Sequence, residues 1–600
     1  MTFPSLSELA GKASSTFQRF PVSLAWAVLG TIYAILSVEG TLGEDKDAQA
    51  KMILTLVLGV SWLIGLQFFV EQQKHPRKWL WLKPMMLLLL VLFYWHIPDI
   101  SVFDELPEYI TRFFLFLIAG HLFVFFAPFV GKWNHRAYWN YLNALVTSVL
   151  RSGFFSGVLY LGLILALSAV DALFGVRVDG DLYFQVFLFC LGIVNTWIYL
   201  SDFPKDMHQH NEIHFRKALE VLVKYILIPL IMLYMLILYA YAAKIALQWE
   251  LPQGWVSYLV TALALLGFLV QVMIDPVQKQ SDSWTISKFH PWFYRLMLPL
   301  VGLLFVAIFR RISDYGITEN RYFVVAIACW ILGIVLYLLF HKGRKLVVLP
   351  TSLFVLCLLA SFGFWGAASV SQRSQLGQFK KVYQTVLDNE KKATQAQYGQ
   401  LESILNYLEE REALADLNEV TGLNLNRFYT NGTPSGSKGE SGWYSPEKVL
   451  DSLGLVVENG AQNDLSSNNF YYYNGSNLPI SYAIEDYQKM VPFRFWTNYK
   501  KNDRFIGDYQ ITYNHKDMSV DLFHKTDAKK ATLRIPIKNR LTALSKMDND
   551  LSEVAPKEFL LRAENDSLRA LLIFAELDFY KEKNTVHLSR ANTLLLLGEK

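Results

Sequence analysis

RRISDYGITENRY, Arg310 to Tyr322, sets three arginines and two acids between two long apolar runs, Trp292–Ile308 and Tyr322–Phe340. A bilayer core of about 30 Å takes roughly 20 apolar residues as a helix, because hydrocarbon offers backbone groups no water to bond. Both flanking runs meet that standard. So do nine others: Pro21–Val38, Met52–Val70, Trp79–Ile97, Ile110–Val130, Ser152–Ala172, Leu182–Leu200, Val221–Ile245, Trp255–Ile274 and Leu346–Ala368. The weakest is Trp79–Ile97, cut by Lys83 and Pro84, but WLWLK and FYWH at its two ends resemble interfacial aromatic belts. Tyr141–Leu150 is amphipathic and is expected at the surface before the fifth span begins.

The chain of 600 residues is 53% hydrophobic and 15% aromatic, with a mean hydropathy of +0.24, above what a soluble globule carries. Before Ser369 the apolar residues form long runs; after Gln372 the chain turns polar. A net charge of +4 is small for this length and gives no reason to invoke nucleic acid. Cys190, Cys329 and Cys357 all lie in apolar segments, so the polar third is expected to fold without disulfides. Arg19 precedes an apolar run ending in VEG without a small-x-small cleavage site, so the first span is expected to stay as an anchor.

Orientation follows from lysine and arginine in short connections. The N-terminal tail, EQQKHPRKWLWLK, GKWNHRAYWN, Ser201–Lys224, Asp275–Arg295 and HKGRK together hold 18 such cations. The alternate connections hold 8, three of them in the quoted stretch. The N-terminus is therefore expected in the cytoplasm, and eleven crossings put the C-terminal region outside, which in a bacterium with two membranes is the periplasm. RRISDYGITENRY runs against that trend, and two readings stay open. In the favoured one the arginines snorkel or pair with Asp314 and Glu319. In the other, Arg310, Arg311 and Arg321, with Tyr315 beside them, contact an anion such as a lipid phosphate or a partner's carboxylate.

YGITENRY, with LIPLIMLYMLILYAYAAKIA (Leu227–Ala246) and LPQGWVSYL (Leu251–Leu259), resembles a bacterial membrane family known as domain of unknown function 4153. The aromatic-rich helices and polar C-terminal region are similar to its Bacteroidetes-type members. The resemblance implies a multi-pass inner-membrane protein and brings no activity, cofactor or catalytic residue with it.

Ion-coupled transporters place carboxylates or histidine relays near the bilayer midplane, since a charge there is costly unless it works. No Asp, Glu, Lys or Arg lies near the centre of any span. His121 is the one ionisable group at mid-depth and Asn195 the main polar amide; a bond from His121 to a neighbouring helix is the favoured reading. Gly153 and Gly157 in SGFFSG form a small-xxx-small face, read as packing within this chain in preference to dimerisation. Pro229, Pro299 and Pro350 are expected to kink their helices. HQHNEIH (His208–His214) has a His-x-x-x-His pair without the adjoining glutamate of a zinc hydrolase, and is read as a solvated loop. Phosphate-loop, Gly-x-Ser-x-Gly and Cys-x-x-Cys patterns are missing, and His96 with Asp99, or His290 with Arg295, have unspecific spacing. No catalytic residue, metal site or cofactor is assigned.

Beyond the last span, Leu376, Phe379, Tyr383, Val386, Ala393, Leu401, Leu405 and Leu408 recur at helical steps. IGDYQITY, MSVDLFH and ATLRIPI read as an antiparallel meander, and LRALLIFAELDFY with TVHLSRANTLLLL as a hairpin needing cover. NNFYYYNGS reads as a strand with half its aromatics in the core. The expected fold is a membrane bundle of about eleven helices (1–369), an amphipathic helical stalk (370–424) and a soluble, strand-rich extracytoplasmic α+β domain (425–600). The leading expectation is a non-enzymatic envelope protein whose outer domain binds a protein or envelope partner, with membrane lipids around the bundle and a homo-oligomer open. The alternative is a permease for a lipid or neutral solute without a midplane ion-coupling site.

Overall fold

The structure, a computed structural model, describes residues 6–43, 45–99, 102–103, 106–176, 178–208, 217–248, 255–278, 283–341, 343–425, 429–430, 443–457, 469–473, 484–496, 504–525, 531–547, 551, 554–582 and 585–600. The chain divides into two compact units, Met1–Glu458 and Asn459–Lys600.

In the first unit a short helix α1 (Leu6–Arg19) precedes ten helices that, among the described residues, are long and apolar enough to cross a membrane. These are α2 (Pro21–Val38), α3 (Lys46–Glu71), α4 (Pro76–His96), α5 (Pro107–Phe129), α6 (His135–Phe174), α7 (Gly180–Ser201), α8 (Leu219–Ile245), α9 (Val256–Ile274), α10 (Trp284–Tyr315) and α11 (Glu319–Phe340). The eleventh expected segment, Leu346–Ala368, forms the shorter apolar helix α12, Val348–Ser361. Two amphipathic helices come next, α13 (Ala367–Asp388) and α14 (Gln395–Glu409). They bury Phe379, Tyr383, Val386, Leu401, Leu405 and Leu408 in a core of their own.

Tyr141–Leu150 does not lie apart from the fifth span. It is continuous with it in α6, 40 residues or about 60 Å of helix. No proline interrupts the run, the Asn134 side chain caps its start, and Gly175 closes it in the left-handed region. Two helices carry π turns. That in α7 covers Cys190–Asn195. That in α8 covers Leu222–Leu227, next to Pro229, whose missing N–H could not have continued a regular helix there.

Polar contacts gather at the two ends of this bundle. At one end Arg19 pairs with Glu71 at 2.8 Å and donates to the Pro204 carbonyl, Lys132 donates to the Gln72 carbonyl, Arg151 meets Asp202 at 3.0 Å, and His135 meets Asp275 at 2.5 Å. At the other, Lys51 meets Asp99 at 2.7 Å, Arg112 donates to His96 and to the Ser361 carbonyl, and the Tyr322 hydroxyl donates to the Trp365 carbonyl. Large aromatics such as Phe68, Phe289, Phe293 and Tyr294 are fully buried in the bundle.

The second unit is a pair of antiparallel sheets. One has five strands: β1 (Asn469–Tyr473), β2 (Lys489–Trp496), β7 (Leu560–Glu564), β8 (Leu568–Glu582) and β9 (Thr585–Glu599). The other is the expected meander with one strand added in front: β3 (Arg504–Ile506), β4 (Tyr509–Asn514), β5 (Ser519–His524) and β6 (Leu533–Pro536). The long hairpin β8–β9 pairs Leu568 with Glu599 and Glu582 with Thr585, and a bulge at Phe574/Glu576 shifts its register. The inward set accordingly changes from Leu568, Ala570, Leu572 and Phe574 to Leu577 and Phe579. Its cover comes from the other sheet and from Leu541 and Leu544 of the helix Lys538–Leu544. In β1 Phe470 and Tyr472 are buried and Tyr471 is exposed, the alternation a strand with one core face requires.

Candidate functional site

The stretch Arg310–Tyr322 is hardly a loop. Helix α10 runs on through Arg310, Arg311 and Asp314 to Tyr315, α11 begins at Glu319, and only Gly316, Ile317 and Thr318 turn the chain. Gly316 has φ 72° and ψ −176°, a region essentially reserved for glycine. So tight a turn leaves main-chain groups at the end of α10 without helical partners. Glutamines supply them. Gln375 donates to the carbonyls of Tyr315 and Ile317 at 3.0 and 2.9 Å, while Gln378 and Gln400 both donate to that of Asp314. The Ile317 N–H donates to the Ser374 hydroxyl at 2.8 Å.

Glu319 completes this joint. Arg411 meets its carboxylate in a fork, Nε to Oε1 at 2.9 Å and Nη2 to Oε2 at 3.2 Å, and the Tyr407 hydroxyl donates to Oε1 at 2.9 Å. The guanidinium lies 3.7 Å over the Tyr407 ring. Both charged side chains are largely shielded from water, at 15% and 17% exposure. Burial works against the Arg411 charge, yet the Glu319 hydrogen bond and charge outweigh it and its pKa ends above the ordinary value. Burial, and then the Glu319 charge, push the Tyr407 phenol up.

Two of the three arginines have partners within the stretch. Arg310 pairs with Asp314 one turn on, at 3.1 Å, and Arg321 donates to the Tyr315 and Gly316 carbonyls while facing the Tyr315 ring. Arg311 is exposed. Sequence reasoning found Glu319 but missed Arg411, 92 residues away. A signal for the glutamines was present, since Gln372, Gln375 and Gln378 repeat every three residues on one helix face.

The two intramembrane polar residues, by contrast, meet around one space. A cleft of about 710 Å³ lies between α2, α3, α5, α6 and α7, and both His121 and Asn195 line it. Among the described residues no Asp, Glu, Lys or Arg does. His121 Nδ1 stands 2.8 Å from the Leu117 carbonyl of its own helix, so the expected bond to a neighbouring helix is replaced by one to the preceding turn. Asn195 ends the π turn of α7, and its buried Oδ1 has no hydrogen-bond partner among the described residues. Thr31 Oγ1 donates to the Ala27 carbonyl and Ser152 Oγ to that of Val149. The π turn is pressed on α2, with Gly192 against Thr31.

Gly153 borders the same cleft. Among the described residues a side-chain carbon added at Gly153 or Gly157 would meet nothing within 4 Å, so the close helix contact expected within the chain is not seen at either. Helix contacts that do require glycine include those of Gly59 on Trp26, Gly65 on Phe123, Gly120 on Ser61 and Trp62, Gly192 on Thr31 and Gly267 on Phe293. Of HQHNEIH only His208 falls within the described residues; it contacts the Pro128 carbonyl. His290 contacts the Leu338 carbonyl at 2.9 Å, and His96 receives a bond from Arg112.

The arrangement defines a multi-pass helical membrane protein with a sheet-rich unit at its C-terminal end. Residues 45–395 match the family described as Domain of unknown function (DUF4153), and the chain belongs to that family. The chain is also similar to Uncharacterized protein PM1469 of Pasteurella multocida (strain Pm70), 26% identical over 287 residues, which is 47% of this chain and 48% of that protein. The matched region thus spans about half the length of the relative. No solved structure matches.

Proposed function

We propose that this chain is a non-enzymatic protein of a bacterial inner membrane, in which the helical unit anchors a periplasmic sheet-rich unit that binds a partner or envelope ligand. The observation that carries the reading is the joint at Gly316: two water-facing helices beyond the last apolar helix grip the turn between α10 and α11 through Glu319–Arg411 and four polar side chains. Such a clasp suits a fixed anchor better than a moving gate. The orientation rests on the 18 cations of one set of connections against 8 of the other. An odd number of crossings is supported by α12. The Lys345 N–H, before its start, donates to the Tyr337 hydroxyl near the end of α11, while the Ser361 carbonyl at its finish accepts from Arg112 at the opposite rim.

Paired reporters test this. Alkaline phosphatase, active only outside the cytoplasm, and green fluorescent protein, active only inside it, are fused in separate strains after Lys345 and after Lys600. Fluorescence after Lys345 with phosphatase activity after Lys600 is expected. Fluorescence at both sites removes the eleventh crossing and the periplasmic unit with it.

A further inference from the structure

We propose that the cleft between α2, α3, α5, α6 and α7 holds a single uncharged lipid whose polar end carries a hydroxyl or amide N–H. The proposal stands apart from the anchoring role and does not rest on it. The cleft's volume of about 710 Å³ falls within the roughly 300–1,000 Å³ of sites that enclose small ligands. Among the described residues its wall bears no charged side chain. An ion or a charged headgroup seated there would lack a counter-charge in a low-dielectric setting, at a cost that excludes it.

Two acceptors in the polar lining, on His121 and Asn195, bear on what the occupant brings. The Thr31 and Ser152 hydroxyls already donate within their own helices. A carbonyl can only accept, so at His121 the hydrogen lies on Nδ1, facing Leu117, and in the neutral ring Nε2 is left as a bare acceptor. The second open valence, Asn195 Oδ1, is an acceptor too. Among the described residues neither meets a donor, and in hydrocarbon no water stands by to provide one. A π turn at the wall adds to the case, since such turns recur at functional positions. The route in is lateral: the lining residues Val57, Val149, Gly153 and Leu191 are exposed on the flank of the bundle, where the solvent is acyl chain. An occupant arriving that way is apolar for most of its length and offers a donor at one end. A long-chain alcohol has that chemistry.

The test uses the full chain in phosphatidylcholine vesicles containing a long-chain alcohol with a photoreactive diazirine, and in parallel a diazirine-bearing phosphatidylcholine. Labelled peptides are mapped after illumination. The alcohol is expected to label the segments around Val57, Val149 and Leu191. Gly153→Trp fills the cleft from an open position and should cut that labelling about tenfold or more, whereas Gly157→Trp, one turn away and outside the lining, should leave it unchanged. His121→Leu removes one acceptor and should lower it roughly fivefold, the worth of one ordinary hydrogen bond. If Gly153→Trp does not fold, the histidine variant decides. Equal labelling by the phosphatidylcholine probe, indifference to His121→Leu, or cross-links joining two copies through the cleft would each overturn the proposal.

Discussion

Glu319 and Arg411 show what a single pair contributes when water is mostly kept away. An exposed ion pair is worth under about 1 kcal/mol, but removing one member of a shielded pair leaves the other desolvated and alone. Glu319→Gln should therefore destabilise the joint by about 2 kcal/mol, read as faster amide exchange across Gln395–Glu409 in detergent-solubilised protein. Arg411→Lys should do nearly as much harm, because a lysine cannot fork across both carboxylate oxygens or lie flat on the Tyr407 ring. Full protection in Arg411→Lys would mean that charge alone holds the joint. Two phenols on the same helix add a pH dependence. Burial pushes Tyr398 up to about 12, helped by Asp451, and pushes Tyr407 up as well. A raised phenol pKa in the folded state gives stability that is intact below the ordinary value near 10 and is lost as pH climbs towards the folded value. Exchange protection of Gln395–Glu409 should thus fall between about pH 10 and 12, and not between 5 and 8.

Among elements, the turn between α10 and α11 and the packing of α7 on α2 both depend on a missing side chain. Gly316→Ala forces a non-glycine residue into a conformation costing about 1–3 kcal/mol, with its new carbon 3.0 Å from the Gln375 amide. A lowered unfolding temperature together with lost protection of Ile317 is the expected outcome. At Gly192 an added carbon would stand 2.0 Å from the Thr31 hydroxyl, so Gly192→Ala should separate α7 from α2, and Thr31→Ala should restore part of the lost stability in the double variant. These contacts mark where the sequence stops being readable. Apolar run lengths announce α2 to α11, and alternation announces the meander and the hairpin, since both patterns are local. Tyr141–Leu150 misleads because amphipathicity gives no sign of whether a helix ends, and only the capping Asn134 and the closing Gly175 do. Glycine spacing misleads at Gly153 and Gly157 because it reports an ability to pack closely, while the neighbour is chosen by the whole bundle. The cleft was half legible: His121 and Asn195 stand out as polar residues in apolar spans, but nothing local says that five helices bring them around one space. Arg411 was invisible, as its partner lies in a different element.

For the whole molecule, side chains are kept from water in two ways. Along the apolar helices α2 to α12 the surroundings are hydrocarbon, so burial yields van der Waals contact and little hydrophobic gain, whereas α13 and α14 close a water-facing core of their own. In Asn459–Lys600 two sheets close over Phe493, Phe495, Leu522, Ile535, Leu572, Phe574 and Leu595, all at most 1% exposed, and the gain is that of an ordinary water-soluble core. The unit contains no cysteine, so no disulfide is needed for it. Its contacts form a closed set: β9 lies between β8 and β2, and β8 pairs in turn with β7 and β1, so every strand of that sheet finds its partner inside the unit. Expressed alone without the helical unit, Asn459–Lys600 should be a soluble, strand-rich protein that unfolds in one urea transition, with a stability of about 5–15 kcal/mol. Phe574→Ala should lower that stability by about 3–5 kcal/mol, because it empties a fully buried site at the bulge where the inward register changes. Circular dichroism and urea titration decide the matter. A fragment that aggregates or shows no cooperative transition would mean that the core identified in it is incomplete.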